Sequence, residues 1–261
     1  MSPAADAATR TARRSTRFVA WVRAWRAGLV PFDELAGEIA ADEEHLVADA
    51  PGTWTDVPLP HGLPVFAKVH PDEIRLVLPA PGDPRGLPGP GELTGAALLA
   101  GEAVMAPSFG LVPEVRRHTS GSGVEFETVL WRVYPAPEYK PVFQIGAAEA
   151  EAELTAALGE TTAQLTKLDV AQWKPELAGA LQQLRRPEST ATLPPGFDPR
   201  ARRLFARASV LDQVLALAET NAPGGAINGY EAQQRDAALR PLVSACRQAL
   251  VAACNSPLHA G

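Results

Sequence analysis

The chain has 261 residues, 46% of them hydrophobic and 21% charged, with 30 acidic against 24 basic side chains for a net charge of −6. That balance excludes disorder over the whole length, and an acidic chain lacks the basic footprint that broad nucleic-acid binding needs. Two cysteines exclude a disulfide scaffold and a four-cysteine zinc site.

Residues 1–11 are small and polar and are expected to fray. Phe18, Trp21, Val22 and Trp25 then recur at helical spacing, and Gly28 is a natural stop. The first 28 residues carry six arginines against Asp6, and Arg23 and Arg26 interrupt the apolar run that an export signal would need. Phe32, Leu35, Ala36 and Ile39 mark a second helix whose other face is acidic, with Asp33, Glu34, Glu38, Asp42, Glu43 and Glu44. A basic helix beside an acidic one predicts either an antiparallel hairpin in which the two pair, or docking of one on another subunit.

From Trp54 to Ile145 the pattern changes to short extended segments cut by prolines. Ile74, Leu76 and Leu78 alternate with their neighbours as in a half-buried strand. Two longer strands, about 111–118 and 124–133, flank the glycine-containing turn at 119–123, and the simplest register sets Arg117 opposite Glu125.

Helices return from Ala147 onward. Leu154, Leu158, Leu165 and Leu168 mark one, and Trp173, Leu177, Leu181 and Leu184 the next. After the proline-rich connector 187–199, Asp198 and Pro199 suit a cap and first helical residue, followed by Leu204, Ala208, Leu211, Leu215 and Ala218. The last helix is expected to begin near Asn228, with Glu231 completing a capping box, and to kink or divide at Pro241. Its seam of Val243, Cys246, Leu250 and Ala253 fits the preceding helix as an antiparallel pair, and Cys246 and Cys254 lie too far apart along it to bridge.

The stretch Pro79–Glu92, Pro-Ala-Pro-Gly-Asp-Pro-Arg-Gly-Leu-Pro-Gly-Pro-Gly-Glu, together with Trp131-Arg-Val-Tyr-Pro-Ala-Pro-Glu-Tyr139, resembles a conserved uncharacterised family of actinobacterial proteins. The resemblance runs nearly the full length and implies a host but no activity, substrate or catalytic residue.

Ile74–Pro81 is echoed by Leu130–Pro137, each ending in Pro-Ala-Pro and followed by a loop and an Ala/Leu segment. A true duplication predicts the two strands side by side, against coincidence in a chain rich in alanine and proline.

The loop 79–91 is the most unusual segment, because proline pins the backbone while glycine permits close approach of a ligand. It is neither a Walker motif nor Gly-x-Gly-x-x-Gly. A ligand bound here would meet Asp83, Arg85, Gly86 and Gly89, helped by His70, Arg75 and Tyr139; the competing reading is a rigid surface loop. His70-Pro-Asp-Glu73 holds a histidine beside carboxylates and equally suits a turn before a strand. The connector 221–230 suits a polar ligand less well than it suits a helix stop, turn and new cap. Histidine spacing gives no metal motif, no Gly-x-Ser-x-Gly elbow is present, and no cofactor is implied. The arginines 200, 202, 203 and 207 open a helix at the unfavourable end of its dipole, which suits either solvent or an acidic partner such as 31–56 of another copy.

The expected fold is α+β, with a mostly antiparallel sheet over about 54–145. Residues 1–53 supply N-terminal helices, 54–146 the sheet-containing core, and 147–261 a helical region packed on it, merged in one domain. The expected function is a non-catalytic cytoplasmic interaction protein that self-associates as a homo-oligomer and takes a protein partner, with no membrane and no nucleic acid. The alternative is a small-ligand-binding protein or enzyme with its site at the loop 79–91.

Overall fold

The computed structural model describes residues 13–121, 123, 125–137, 145–167, 192–220 and 229–259. Helix α1, Arg14–Arg26, buries Phe18, Val19 and Val22, and α2, Phe32–Ala40, buries Leu35 and Ile39. Strands β1 (Glu44–Ala48) and β2 (Val57–Pro58) follow. A short helix α3 (Leu59–Gly62) and a 3-10 turn (Leu63–Phe66) then bury Leu59, Leu63 and Phe66. After a second 3-10 turn, Pro71–Glu73, come β3 (Arg75–Val77), α4 (Glu92–Ala100), β4 (Ala103–Met105), β5 (Phe109–Thr119) and β6 (Glu125–Pro135).

These strands form one sheet of six, in the order β2-β1-β6-β5-β4-β3. Every neighbouring pair is antiparallel except β1 with β6. The sheet is buried on both faces where apolar residues alternate. On one face Phe18 of α1 stacks against Trp131 with ring centres 4.5 Å apart and against Phe66 at 5.7 Å. On the other, α4 covers Val77, Ala103, Met105 and Val112 with Leu93 and Ala97. Gly62 belongs to the close approach of α3 to β1, because a Cβ there would collide with the Val47 side chain.

The fold is α+β with a mostly antiparallel sheet, N-terminal helices and a C-terminal helical region, as the sequence predicts. Four details differ. Helix α2 ends at Ala40, so Glu44 opens β1 and the sheet begins before residue 54. The arginines of α1 do not pair with the acidic face of α2: Arg14 reaches Glu43 and Glu127, and Arg23 reaches Asp72. Arg117 stands opposite Glu127 and bonds it at 3.0 Å, while Glu125 faces Thr119, because the turn is one residue tighter on each side. Finally β3 is an edge strand with β4 and β5 between it and β6, so the echoed segments are not neighbours. Successive antiparallel pairing of β3, β4, β5 and β6 decides that order.

The chain divides into two units, one of Arg13–Gln144 with Leu193–Asp198 and Pro257–Gly261, the other of Met1–Ala12, Ile145–Thr192 and Pro199–Ser256. In the second, α5 (Ala147–Lys167), α6 (Pro199–Thr220) and α7 (Gly229–Cys254) pack together. Pro199 is the first residue of α6, as expected, and α7 runs on through Pro241 without dividing. Cys246 is buried and donates to the Ala208 carbonyl of α6 at 3.1 Å, and Leu250 and Ala253 complete a buried seam. Arg200 pairs with Glu151 of α5 and Arg207 bonds Thr155. Residues 1–11, the segment marked by Trp173, Leu177, Leu181 and Leu184, and the cap at Asn228 lie outside the described residues, as does most of the connector 221–230.

Candidate functional site

Three features of the sheet-containing unit combine charge or exposure in ways that the core does not need. The first is buried. Trp131 is fully buried, and its indole Nε1–H donates to His45 Nδ1 at 3.1 Å. Because the indole can only donate, Nδ1 must accept, which leaves the proton of the neutral ring on Nε2. That nitrogen faces Glu43 Oε2 at 3.4 Å. Arg14 clamps the same carboxylate through Nε, at 3.1 and 3.0 Å, and reaches Glu127 with Nη2. Burial pushes the Glu43 carboxyl up, but the hydrogen bonds from His45 and Arg14 and their charges outweigh it and hold the group at about 2. Beside them, Ser15 N–H donates to the buried Glu102 carboxylate at 2.7 Å, and burial pushes that carboxyl above its usual range. A general base must touch its substrate. His45 has a side chain only 1% exposed, so the chain from Trp131 to Arg14 ties α1 to β1 and β6 rather than performing chemistry.

The second feature is the loop 79–91. Ala80 and Asp83 exchange backbone hydrogen bonds at 3.0 and 2.8 Å around Pro81 and Gly82, the latter at φ +82°. That is the proline-glycine arrangement of a type II turn. Arg85 grips Asp83 with two bonds, at 2.7 and 2.9 Å, so the two charges neutralise each other. Gly86, at φ +88°, passes so close to Val77 that a Cβ would press on its side chain. The Gly89 carbonyl accepts from the Thr94 hydroxyl at the start of α4. Proline, glycine and one ion pair thus hold this loop in one shape.

His70 and Arg75 stand apart from that turn. Arg75 is in β3 opposite Met105. His70 caps the 3-10 turn at Pro71, accepting at Nδ1 from Asp72 N–H at 3.3 Å, while the Glu73 carboxylate takes the His70 N–H. It also borders an open cleft of about 540 Å³ with Arg26, Leu29, Lys68, Asp72 and Leu258, and none of Arg75, Asp83, Arg85, Gly86 and Gly89 lines it. Asp72 is held by Arg23 at 2.9 Å. Arg26 gives Nε–H to the Val69 carbonyl at 3.2 Å and lies over Trp25, and neither Arg26 nor Lys68 has a carboxylate partner among the described residues. Tyr139 lies outside the described residues.

The third feature is the far end of the β5–β6 hairpin, where both strands leave their other neighbours. His118 stacks on Phe126 across the hairpin with ring centres 5.1 Å apart, and Phe126 and Val115 are 47% and 40% exposed. Glu114 bonds Arg116 at 3.2 Å and Arg132 at 3.3 Å on the same face, and Arg116 reaches Asp56 at 3.7 Å. Two residues before Asp56, Trp54 is wholly exposed. No single helix or strand pattern signals this surface, because Trp54, Arg116 and Phe126 come from three separate segments.

The same chain segments carry the likeness to other proteins. Residues 15–145 match the model of the Rv1486c-like protein, N-terminal domain, and residues 148–251 that of the Rv1486c-like protein, C-terminal domain. The chain belongs to the Rv1486c-like family. The junction of the two models falls where the two units meet in sequence. The uncharacterized protein Rv1486c of Mycobacterium tuberculosis is 32% identical over 208 residues, covering 71% of this chain and 70% of that protein. The uncharacterized protein ML1804 of Mycobacterium leprae is 28% identical over 214 residues, covering 71% and 68%. No solved structure matches significantly. The actinobacterial resemblance read from Pro79–Glu92 and Trp131–Tyr139 therefore holds at the level of the family. Among the described residues no helix is long and apolar enough to cross a membrane, and no cluster of three potential metal ligands occurs.

Proposed function

We propose that this protein is a non-catalytic interaction and assembly protein that self-associates in the cytoplasm. The observation that carries this reading is the projecting end of β5–β6, which exposes Val115 and Phe126 together with an unpaired strand edge. Large apolar side chains and strand edges left open to water are liabilities unless something covers them. The strongest polar cluster supports the same reading from the other side, since His45, Glu43 and Arg14 spend their bonds on one another inside the core. Cys246 and Cys254, both buried and unbridged, suit a reducing compartment.

A second reading, a small-ligand-binding protein, draws support from the cleft at His70. Arg26 and Lys68 make it locally positive in a chain of net charge −6, and Leu29, Val69 and Leu258 give it apolar wall, a combination that suits an anion with an apolar body. Native mass spectrometry of the untagged full chain, with its denatured mass as reference, separates the two. A multimer carrying no extra mass is the expected result. A monomer throughout the micromolar range overturns the assembly reading, and a retained small anion favours the second.

A further inference from the structure

The edge of β5 names a partner and a register, and the inference rests on the assembly reading above. β6 accompanies β5 along all of Phe109–Thr119, but β4 pairs only with Gly110 and Leu111. Ala106 N–H donates to the Phe109 carbonyl, which fixes the alternation: odd-numbered residues of β5 turn their backbone polar groups towards the β4 side and even-numbered ones towards β6. From Pro113 to Thr119 no strand among the described residues occupies that side. Pro113 belongs to the odd set. Having no N–H, it sits where no donor is called for, which is the place proline takes on an open edge. The carbonyl of Pro113 and the N–H and C=O of Val115, Arg117 and Thr119 form the edge, and the side chains of Glu114, Arg116 and Arg117 around them are 48%, 40% and 84% exposed.

We propose that a second copy of this chain adds along this edge, antiparallel, across a two-fold axis at Val115. A two-fold axis normal to the sheet keeps like faces together, so only residues of like parity can stand opposite one another. An axis at Glu114 sets Glu114 against itself, and axes at Arg116 or Arg117 set arginine against arginine. Like charges directly opposite destabilise a strand pair and opposite charges stabilise it. The axis at Val115 sets Val115 against Val115 and, on both sides, Glu114 against Arg116 of the second copy. The two Val115 residues then exchange backbone hydrogen bonds, and each Arg117 N–H meets the Pro113 carbonyl of the other copy. The row Arg132, Glu114, Arg116, Asp56 that already alternates in sign on this face continues across the axis with its alternation intact. The same charges reject a strand that lacks the matching pattern, so the edge is guarded against general aggregation while it stays open to itself.

Sedimentation equilibrium of the full chain tests this with wild type, Val115→Asp, Arg116→Glu and the charge-swapped Glu114→Arg/Arg116→Glu, each checked for folding by circular dichroism. The expected result is a wild-type dimer weakened about tenfold or more by either single substitution, with the swapped pair restoring it. Amide exchange on the unmodified chain gives a second readout. Val115 and Arg117 should gain protection as concentration rises, whereas Glu114 and Arg116, bonded to β6, should not change. A dimer indifferent to both single substitutions, or one that leaves Val115 and Arg117 unprotected, overturns the edge and leaves self-association standing. A wild-type monomer overturns both.

Discussion

Replacing Glu43 by glutamine isolates the buried ion pair that joins α1 to the sheet. In the folded chain Arg14 and His45 hold that carboxyl at about 2 against an ordinary 4.5, with its side chain 27% exposed. At 1.36 kcal/mol per pH unit the difference amounts to about 3 kcal/mol, and partial exposure to water brings it to about 2. The sign follows from linkage: a carboxyl lowered by folding stabilises above its unfolded value and loses that contribution as pH falls towards its folded value. Glu43→Gln should therefore be about 2 kcal/mol less stable near neutral pH, with the gap to wild type constant down to about pH 5. It should then close between about pH 4.5 and 2, where the wild-type carboxyl also becomes neutral. Glu102 acts in the opposite sense, since burial raises its carboxyl and its ionisation costs stability as pH rises, but it is present in both proteins and cancels in the difference. Urea unfolding followed by tryptophan fluorescence at stepped pH measures the gap, with Trp131 in direct contact with the site. A gap under about 0.5 kcal/mol near neutrality, or one that is unchanged at about pH 3, would refute the assignment of Glu43 as a charged, clamped group.

Two further substitutions bear on the same surfaces. Trp131→Phe keeps most of the ring packed against Phe18 but removes the donor to His45 Nδ1, leaving a buried acceptor unpaired. It should cost about 1–3 kcal/mol in the same urea assay. Asp83→Ala with Arg85→Ala removes an exposed pair that serves only its own turn, so thermal unfolding should move by less than about 1 kcal/mol with the oligomeric state unchanged.

Local patterns carried most of the fold. Phe18, Val22, Leu35 and Ile39 repeat at helical spacing and are buried where that spacing says, and Asp198-Pro199 marks the start of α6 to the residue. β1 was hidden because Glu43 and Glu44 extend the acidic character of α2, and the chain leaves the helix at Ala41 with φ +47°, a turn for which alanine gives no signal. Register between β5 and β6 depends on the length of their turn, so Arg117 found Glu127 in place of Glu125. The candidate site residues divide in the same way. Asp83, Arg85, Gly86 and Gly89 are neighbours in sequence and share one turn, whereas the cleft at His70 is completed by Arg26 and Leu258 from distant parts of the chain. The buried cluster was illegible for the same reason, since His45 and Trp131 are 86 residues apart.

That separation governs the order in which the first unit can form. β1 leaves the ribosome early, yet its parallel neighbour β6 and the ring on which Phe18 rests arrive only after most of the unit has been made. Closing a loop of 86 residues costs of order 4 kcal/mol in chain entropy before the contact returns anything. Until Trp131 emerges, α1 has an apolar face with nothing to lie on and β1 has no central neighbour. The sheet is therefore completed late and from the middle outward, and a nascent chain stopped anywhere before β6 is a client for chaperones rather than a folding intermediate with a core.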